Sequence, residues 1–280
     1  MMKIIRWDLL DTPETLSLIT AICGGHKGTA LTIGGFDGPH AGHESLFDAV
    51  FEAAEKQNLA TGIVTFTRSP GVNKKPFQYP GDVSTLNLRL GYFAEKGFDF
   101  VLLIDFSGEF GKMIGGVFFD ILVKTVLMRY VAVGPDFRCG HRLDTGTAEI
   151  SALSHKEGFR FDSIQQVELD GLRISSSAVR KAIQSADFAH AERLLGHPFL
   201  LDFNISDWKI SENNSLEIPV SFFTQILPRC GEYSVVLSVS SGKSVEAKLL
   251  VTEKMVILSP SGDEALPDAA DITTVRFRLS

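Results

Sequence analysis

Between Thr29 and Val133 the apolar residues follow two alternating rhythms. Thr29–Gly34 (TALTIG), Ala60–Thr67 (ATGIVTFT), Phe98–Ile104 (FDFVLLI) and Tyr130–Val133 are short apolar runs with glycine or polar flanks, as buried strands are. Between them the spacing changes to three and four residues. Leu46, Phe47, Val50, Phe51 and Ala54 mark a helix from about His43 to Gln57, Leu86, Leu90 and Phe93 one over Ser84–Lys96, and Phe118, Ile121 and Leu122 another ending near Thr125. Strands that alternate with helices predict parallel βαβ units with helices on both faces, and ligands at the carboxyl ends of the strands. The proline- and glycine-rich stretch 68–82 (RSPGVNKKPFQYPGD) reads as a long loop, a length often tied to function.

After Pro198 the helical period is lost. Tyr233–Val239, Ala247–Thr252, Met255–Leu258 and Thr274–Leu279 alternate with a period of two and are separated by turn signals such as SGK and PSGD. The chain therefore divides into an α/β domain with a Rossmann-like parallel sheet over residues 1–197 and a small antiparallel β-barrel-like domain over 198–280.

Composition narrows the classes. Of 280 residues, 44% are hydrophobic and 22% charged, enough for a true core. Subtracting 34 acidic from 27 basic residues leaves a charge of −7, which argues against nucleic acid as a partner. Cys23, Cys139 and Cys230 are odd in number and widely spaced, so reduced thiols are expected rather than disulfides or structural zinc. No apolar run approaches the ~20 residues that span a bilayer. The N-terminal apolar patch is broken by Arg6, Asp8, Asp11 and Glu14, unlike a signal peptide. The expectation is a cytoplasmic protein with no membrane partner.

Candidate chemistry begins with motifs that fail. Gly242-Lys243-Ser244 ends like a Walker A loop, but Leu237 stands where its first glycine belongs and no helix follows. The glycines at 34, 35, 38 and 42 do not fit G-x-G-x-x-G, and H-E-x-x-H and G-x-S-x-G are absent. What remains is the strand-to-helix link from Gly34 to His43 (GGFDGPHAGH). Gly38 and Gly42 permit a tight loop close to a bulky group. The helix start offers N–H groups and a positive dipole end to an anion. His40 and His43, three apart, fall on one side of the first turn and aim ring donors at the same point. Nucleotidyl transfer needs this kind of positioning and charge stabilisation. The plainer alternative is a glycine turn with two surface histidines or a metal pair.

A second segment, Arg173-Ile174-Ser175-Ser176-Ser177-Ala178-Val179-Arg180, opens another helix. Three hydroxyls there can cap it and bond phosphate oxygens, and Arg180 lies one turn inside. Alone, it is equally an over-supplied cap with a surface arginine.

Together these segments resemble the bacterial FAD synthetase family, the bifunctional riboflavin kinases/FMN adenylyltransferases. Thr32 to His43 is similar to the family's adenylyltransferase signature, Val64-Thr65-Phe66 and Val133 to Gly140 to the next two blocks, Arg173 to Arg180 to its I-S-S-S/T-x-x-R block, and Leu194 to Phe199 to its domain-closing segment. The resemblance covers about Met2 to Phe199 and implies a nucleotidyltransferase that moves AMP from ATP to FMN, giving FAD and pyrophosphate, with Mg²⁺ accompanying ATP. It implies that His40, His43 and Arg180 are catalytic, that Gly34, Phe36, Gly38, Ser175, Ser176 and Ser177 join them around ATP, and that Asp136 and Phe66 face the flavin. No metal ligand is assigned, and oligomeric state is left open.

The chain departs from the family pattern at Ser69-Pro70, where a histidine often precedes the proline, and at Cys139, where an aromatic is usual. The kinase motif G-F-P-T-A-N has no match, and only Leu227 to Val235 is faintly similar to a later strand of the kinase barrel. The expectation is a degenerate kinase-like domain without riboflavin kinase activity. Two alternatives stay open: a nucleotidyltransferase of the same fold with another phosphorylated acceptor, and a catalytically weak flavin- or nucleotide-binding protein.

Overall fold

The computed structural model describes residues 1–68, 79–106, 109–165, 167–205, 207–211, 214–262 and 265–279. Most of the long loop expected over 68–82, with Ser69 and Pro70, lies outside the described residues. Contacts group the chain into two compact units that no single cut separates. One holds Met1–Phe36, Gly42–Phe77 and Leu90–Glu168, the other Asp37–Ala41, Gln78–Arg89 and Leu169–Ser280.

The first unit is built on a six-stranded parallel sheet. Its strands are β1 (Lys3–Arg6), β2 (Thr29–Ile33), β3 (Ala60–Phe66), β4 (Phe100–Ile104), β5 (Met128–Val133) and a last strand, Arg160–Ser163, in the order β1-β4-β3-β2-β5-(160–163). The register Leu31↔Gly62 and Val64↔Leu102 brings the central strands together. β2 and β4 are buried at every position, which is why they read as continuous apolar runs. The two edge strands escaped the hydrophobic pattern because they bury little. In β1 only Ile5 is buried, and Arg160–Ser163 is largely exposed.

Helices α1 (Pro13–Ile22), α2 (Ala41–Gln57), α3 (Leu86–Glu95), α4 (Gly115–Lys124) and α5 (Thr147–Glu157) accompany these strands in the chain. α1 carries a signal the apolar spacing did not reveal, Thr12 as N-cap accepting from the Thr15 N–H and Pro13 at the first position. α2 begins at Ala41, two residues before the expected start, so Gly42 lies in its first turn rather than in the loop. The core joins Leu31, Val64, Leu102 and Val131 to Phe118, Phe119 and Leu122 of α4.

The second unit contains α6 (Ser176–Gln184), α7 (Phe188–Leu195) and a seven-stranded antiparallel sheet over Leu200–Phe277. The sheet curls into a half-barrel. Among the described residues no pairing joins its end strands, Leu200–Asp202 and Lys209–Ile210, so the barrel-like expectation is met by an open sheet. Gly231–Val239 and Ser244–Val251 pair as a hairpin, and Gly242, with φ 81, sits in the turn between them; the false Walker A ending is that turn. Stacked rings seal this core. Phe188 of α7 lies 4.1 Å from Phe277, and Phe199 5.8 Å from it.

Candidate active site

β2 ends at Ile33 and α2 starts at Ala41, so seven residues carry the chain from the sheet's carboxyl edge to a helix N-terminus. Two glycines make this turn possible. A Cβ on Gly34 would lie 2.9 Å from the Phe36 ring, which folds back over it. A Cβ on Gly38 would meet the Val83 side chain at 2.3 Å, and its φ of 68 disfavours other residues. Phe36 itself has φ 41, rare for a side chain of its size. Its ring and the His43 ring meet edge to face with centroids 5.0 Å apart, and the Phe47 ring centroid lies 6.3 Å from that of His43. His43, in the first turn of α2, is thus oriented by aromatic neighbours. Glu44 beside it is ion-paired with Lys96 and bonded by the Tyr92 hydroxyl, which removes much of its repulsion toward an incoming anion.

In the second unit the loop Asp37–Ala41 meets the start of α6. Ser175 is the N-cap, its hydroxyl accepting from the Ala178 N–H at 3.3 Å. Ser176 donates to the Asp37 carbonyl at 3.1 Å, and Ser177 is exposed. Arg180 donates through Nη2 to the Asp37 carboxylate, and at 3.1 Å to the Tyr79 hydroxyl, and through Nε to the Gly81 carbonyl at 2.9 Å. The Val83 N–H donates to the same carboxylate at 3.0 Å. Asp37, Tyr79 and Val83 were not among the expected site residues. Asp37 stood inside the glycine loop, but only packing brings Tyr79 and Val83 to it.

Burial pushes the Asp37 carboxyl up, the Arg180 charge pulls it back, and the Asp82 charge raises it again. Burial also lowers Arg89, itself 3% exposed, against the pull of Asp37 and Asp82. His40 is 5% exposed, and burial, reinforced by the charges of Arg173 and His197, brings it down to about 4. It is therefore a neutral ring near pH 7, with one N–H to donate and one nitrogen to accept.

The sequence-expected residues thus fall in two places. His40, Gly38, Ser175, Ser176, Ser177 and Arg180 lie on the second unit around the Asp37 loop, and Gly34, Phe36 and His43 on the first. The first unit also holds an apolar cavity of about 260 Å³, lined by Phe66, Phe106, Phe110, Phe118, Phe137 and Cys139, with Gly34 and Gly35 at the end of β2. Phe66 is on its wall, whereas Asp136 is exposed on the turn leading to Phe137. Phe106 and Phe110 meet edge to face at 5.8 Å, and Phe110 and Phe118 at 5.9 Å. Burial pushes the Cys139 thiol up to about 12, Asp144 adding to it, so the wall carries no thiolate. The lining is largely apolar, and Arg138 brings a guanidinium to it.

Among the described residues no group of three or more His, Cys, Asp or Glu is placed to hold a metal ion, and no helix is long and apolar enough to cross a membrane. Magnesium is ordinarily held by one or two carboxylates together with substrate phosphates. The carboxylate of this loop, Asp37, is taken by Arg180.

The chain is similar to known proteins both in sequence and in fold. A structure from Streptococcus pneumoniae, described as a macrolide-efflux protein, superposes with a TM-score of 0.76 over 99% of this chain and 98% of that one, at 20% identity, a likeness of fold. The bifunctional riboflavin kinase/FMN adenylyltransferase of Escherichia coli (strain K12) is 36% identical over 176 residues, 62% of this chain, which spans 56% of that protein's length. The protein of that name from Haemophilus influenzae is 29% identical over 225 residues, 78% of this chain and 71% of that protein. The FAD synthetase family model matches residues 24–178, from just before β2 into α6. With more than half of its length inside that match, the chain belongs to the FAD synthetase family.

Proposed function

We propose that the chain is an FMN adenylyltransferase. An FMN phosphate oxygen attacks the α-phosphorus of ATP, the bond to the leaving pyrophosphate breaks, and FAD forms. The observation that carries this reading is the buried, neutral His40 at the start of α2, in a loop tied to the start of α6 through Asp37 and Ser176. In-line displacement at phosphorus needs little covalent help and much positioning. His40 and His43 donate N–H groups to phosphate oxygens, joined by the backbone N–H groups opening α2. Ser177 and the first N–H groups of α6 offer further donors. Arg180 acts chiefly by bracing the loop, since its Nε and Nη2 are engaged within the protein. The apolar cavity takes the flavin ring against Phe66 and Phe137. Mg²⁺ bound with ATP would supply counter-charge at the phosphates.

The same reading holds that riboflavin is not phosphorylated, because G-F-P-T-A-N has no counterpart after Pro198. Purified protein with Mg·ATP should make FAD and pyrophosphate from FMN and neither FMN nor FAD from riboflavin. No pyrophosphate with FMN, but release with another phosphorylated acceptor, replaces FMN and keeps the fold's chemistry. Binding without release under any condition reduces the protein to a flavin or nucleotide binder. His43→Ala should lower kcat by about 10²–10³-fold, as loss of an oxyanion donor does, while the Kd for ATP changes far less; unchanged turnover removes His43 from the mechanism.

A further inference from the structure

α7 ends in a left-handed Gly196, φ 79, whose N–H closes onto Glu192, and the next residue is His197. A Cβ on Gly196 would come 3.6 Å from the Ala41 Cβ, so this helix end lies directly on the Asp37–Ala41 loop of its own unit. The His197 ring meets a carbonyl at each nitrogen: Nδ1 lies 2.9 Å from the oxygen of Pro198, and Nε2 2.9 Å from the oxygen of Pro39, 158 residues away. A carbonyl oxygen only accepts, so the ring holds Pro39 when its N–H is on Nε2. The distant bond then fixes the Pro39 carbonyl, while Nδ1 lies against the Pro198 oxygen.

That carbonyl belongs to the peptide group whose nitrogen is His40. The group is planar and trans, so fixing its oxygen also fixes the direction of the His40 N–H and the start of the His40 backbone. Two residues earlier, the Asp37 carbonyl is held by Ser176. His40 is thus approached by a loop pinned at two carbonyls, one from the start of α6 and one from the residue after α7. Proline at 39 and at 198 gives both anchors a fixed φ. The His197 charge is also among those that hold the His40 ring below its ordinary range.

We propose that His197 is a positioning residue for adenylyl transfer: a ring donor that aims His40 by holding the Pro39 carbonyl. The proposal rests on the adenylyltransferase reading given above. Misplacement of a reacting group by about 1 Å can reduce a rate about 10²-fold, and a bracket lost behind His40 acts at that scale. Arginine is the replacement that restores an N–H donor toward the Pro39 carbonyl, whereas alanine restores none.

The test combines kinetics with amide hydrogen exchange on the full chain. His197→Ala should lower kcat by about 10- to 100-fold with the KM for FMN little changed. It should speed exchange in residues 38–46 while the strands of Gly231–Val251 keep their protection. His197→Arg should regain most of both. Unchanged kcat and unchanged exchange at 38–46 in His197→Ala overturn the proposal. So does an equal loss in the alanine and arginine variants accompanied by faster exchange throughout the second unit, which marks a merely structural histidine. If the wild type makes no FAD, the adenylyltransferase reading fails by that result alone, and exchange at 38–46 in the two variants still decides whether His197 brackets the loop.

Discussion

The aromatic cavity beside β2 and the ionic cluster around Asp37 are built in opposite ways. The cavity is a wall of phenylalanines meeting edge to face, together with Met113 and a protonated thiol. Its contribution comes from many small dispersion contacts and from excluded water, so a change at one wall residue is shared among neighbours. The Asp37 cluster contains few groups, and each has directed partners: one carboxylate receives Arg180, Tyr79 and the Val83 N–H. Removing a member leaves another buried and unpaired, a far larger penalty than a lost methyl group. A ring can be recognised by shape with some slack. A fixed polar network, by contrast, holds its groups at set angles.

This contrast can be broken by substitution. The largest effect is expected at Asp37→Ala. Arg180 and Asp37 have side chains only 14% and 9% exposed, so a buried guanidinium that loses its carboxylate, though it keeps the Gly81 carbonyl and Tyr79 hydroxyl, should reduce stability by about 3 kcal/mol, read as a shift in the urea midpoint. A change below about 1 kcal/mol would show that the pair is replaceable and remove the contrast with the cavity.

The next effect depends on pH. His40 titrates at about 4 in the fold against 6.5 ordinarily, so between those values the unfolded chain binds a proton that the folded chain refuses. The stabilisation is present above about 6.5 and is lost as pH falls toward about 4, by about 3 kcal/mol at the end of the window. Denaturation at a series of pH values should show this slope in the wild type, and it should flatten in His40→Gln. The same slope in both proteins would move its origin to the carboxylates.

A smaller loss, about 1 kcal/mol, is expected for Ser175→Ala, which removes the N-cap of α6 and keeps the Ser176 bond to the loop. Adenylyl transfer should survive it; a large loss of turnover would give the cap hydroxyl a second duty at the phosphates. The smallest effect is predicted at Cys139→Ala in the cavity wall, below about 1 kcal/mol in stability and in FMN affinity, measured by flavin fluorescence quenching. A tenfold change in affinity there would mean that the cavity is as exacting as the polar cluster.

The sequence made the central machinery legible because its signals are local. β2 and β4 are buried at all positions and read as strands at once, while β1 and Arg160–Ser163 bury too little to be seen. The glycine loop announced itself through residues that only a constrained turn uses, and Ser175 stood where an N-cap stands. Tyr79, Val83 and His197 gave no such signal. Each matters through a partner at least 42 residues away in the chain.

What the sequence by itself determined is therefore the alternation of strands and helices, the change to antiparallel strands after Pro198, and the chemical identity of the histidine and serine segments, all of them set by periods and turn residues within a dozen positions. What only the tertiary structure decided is which of those groups are neutral, which are engaged and which are held. The imidazole of His40 is neutral because it is buried beside Arg173 and His197, and Arg180 is engaged because Asp37 folds against it. Burial and pairing are properties of three-dimensional neighbourhoods, and elements far apart in the chain create them.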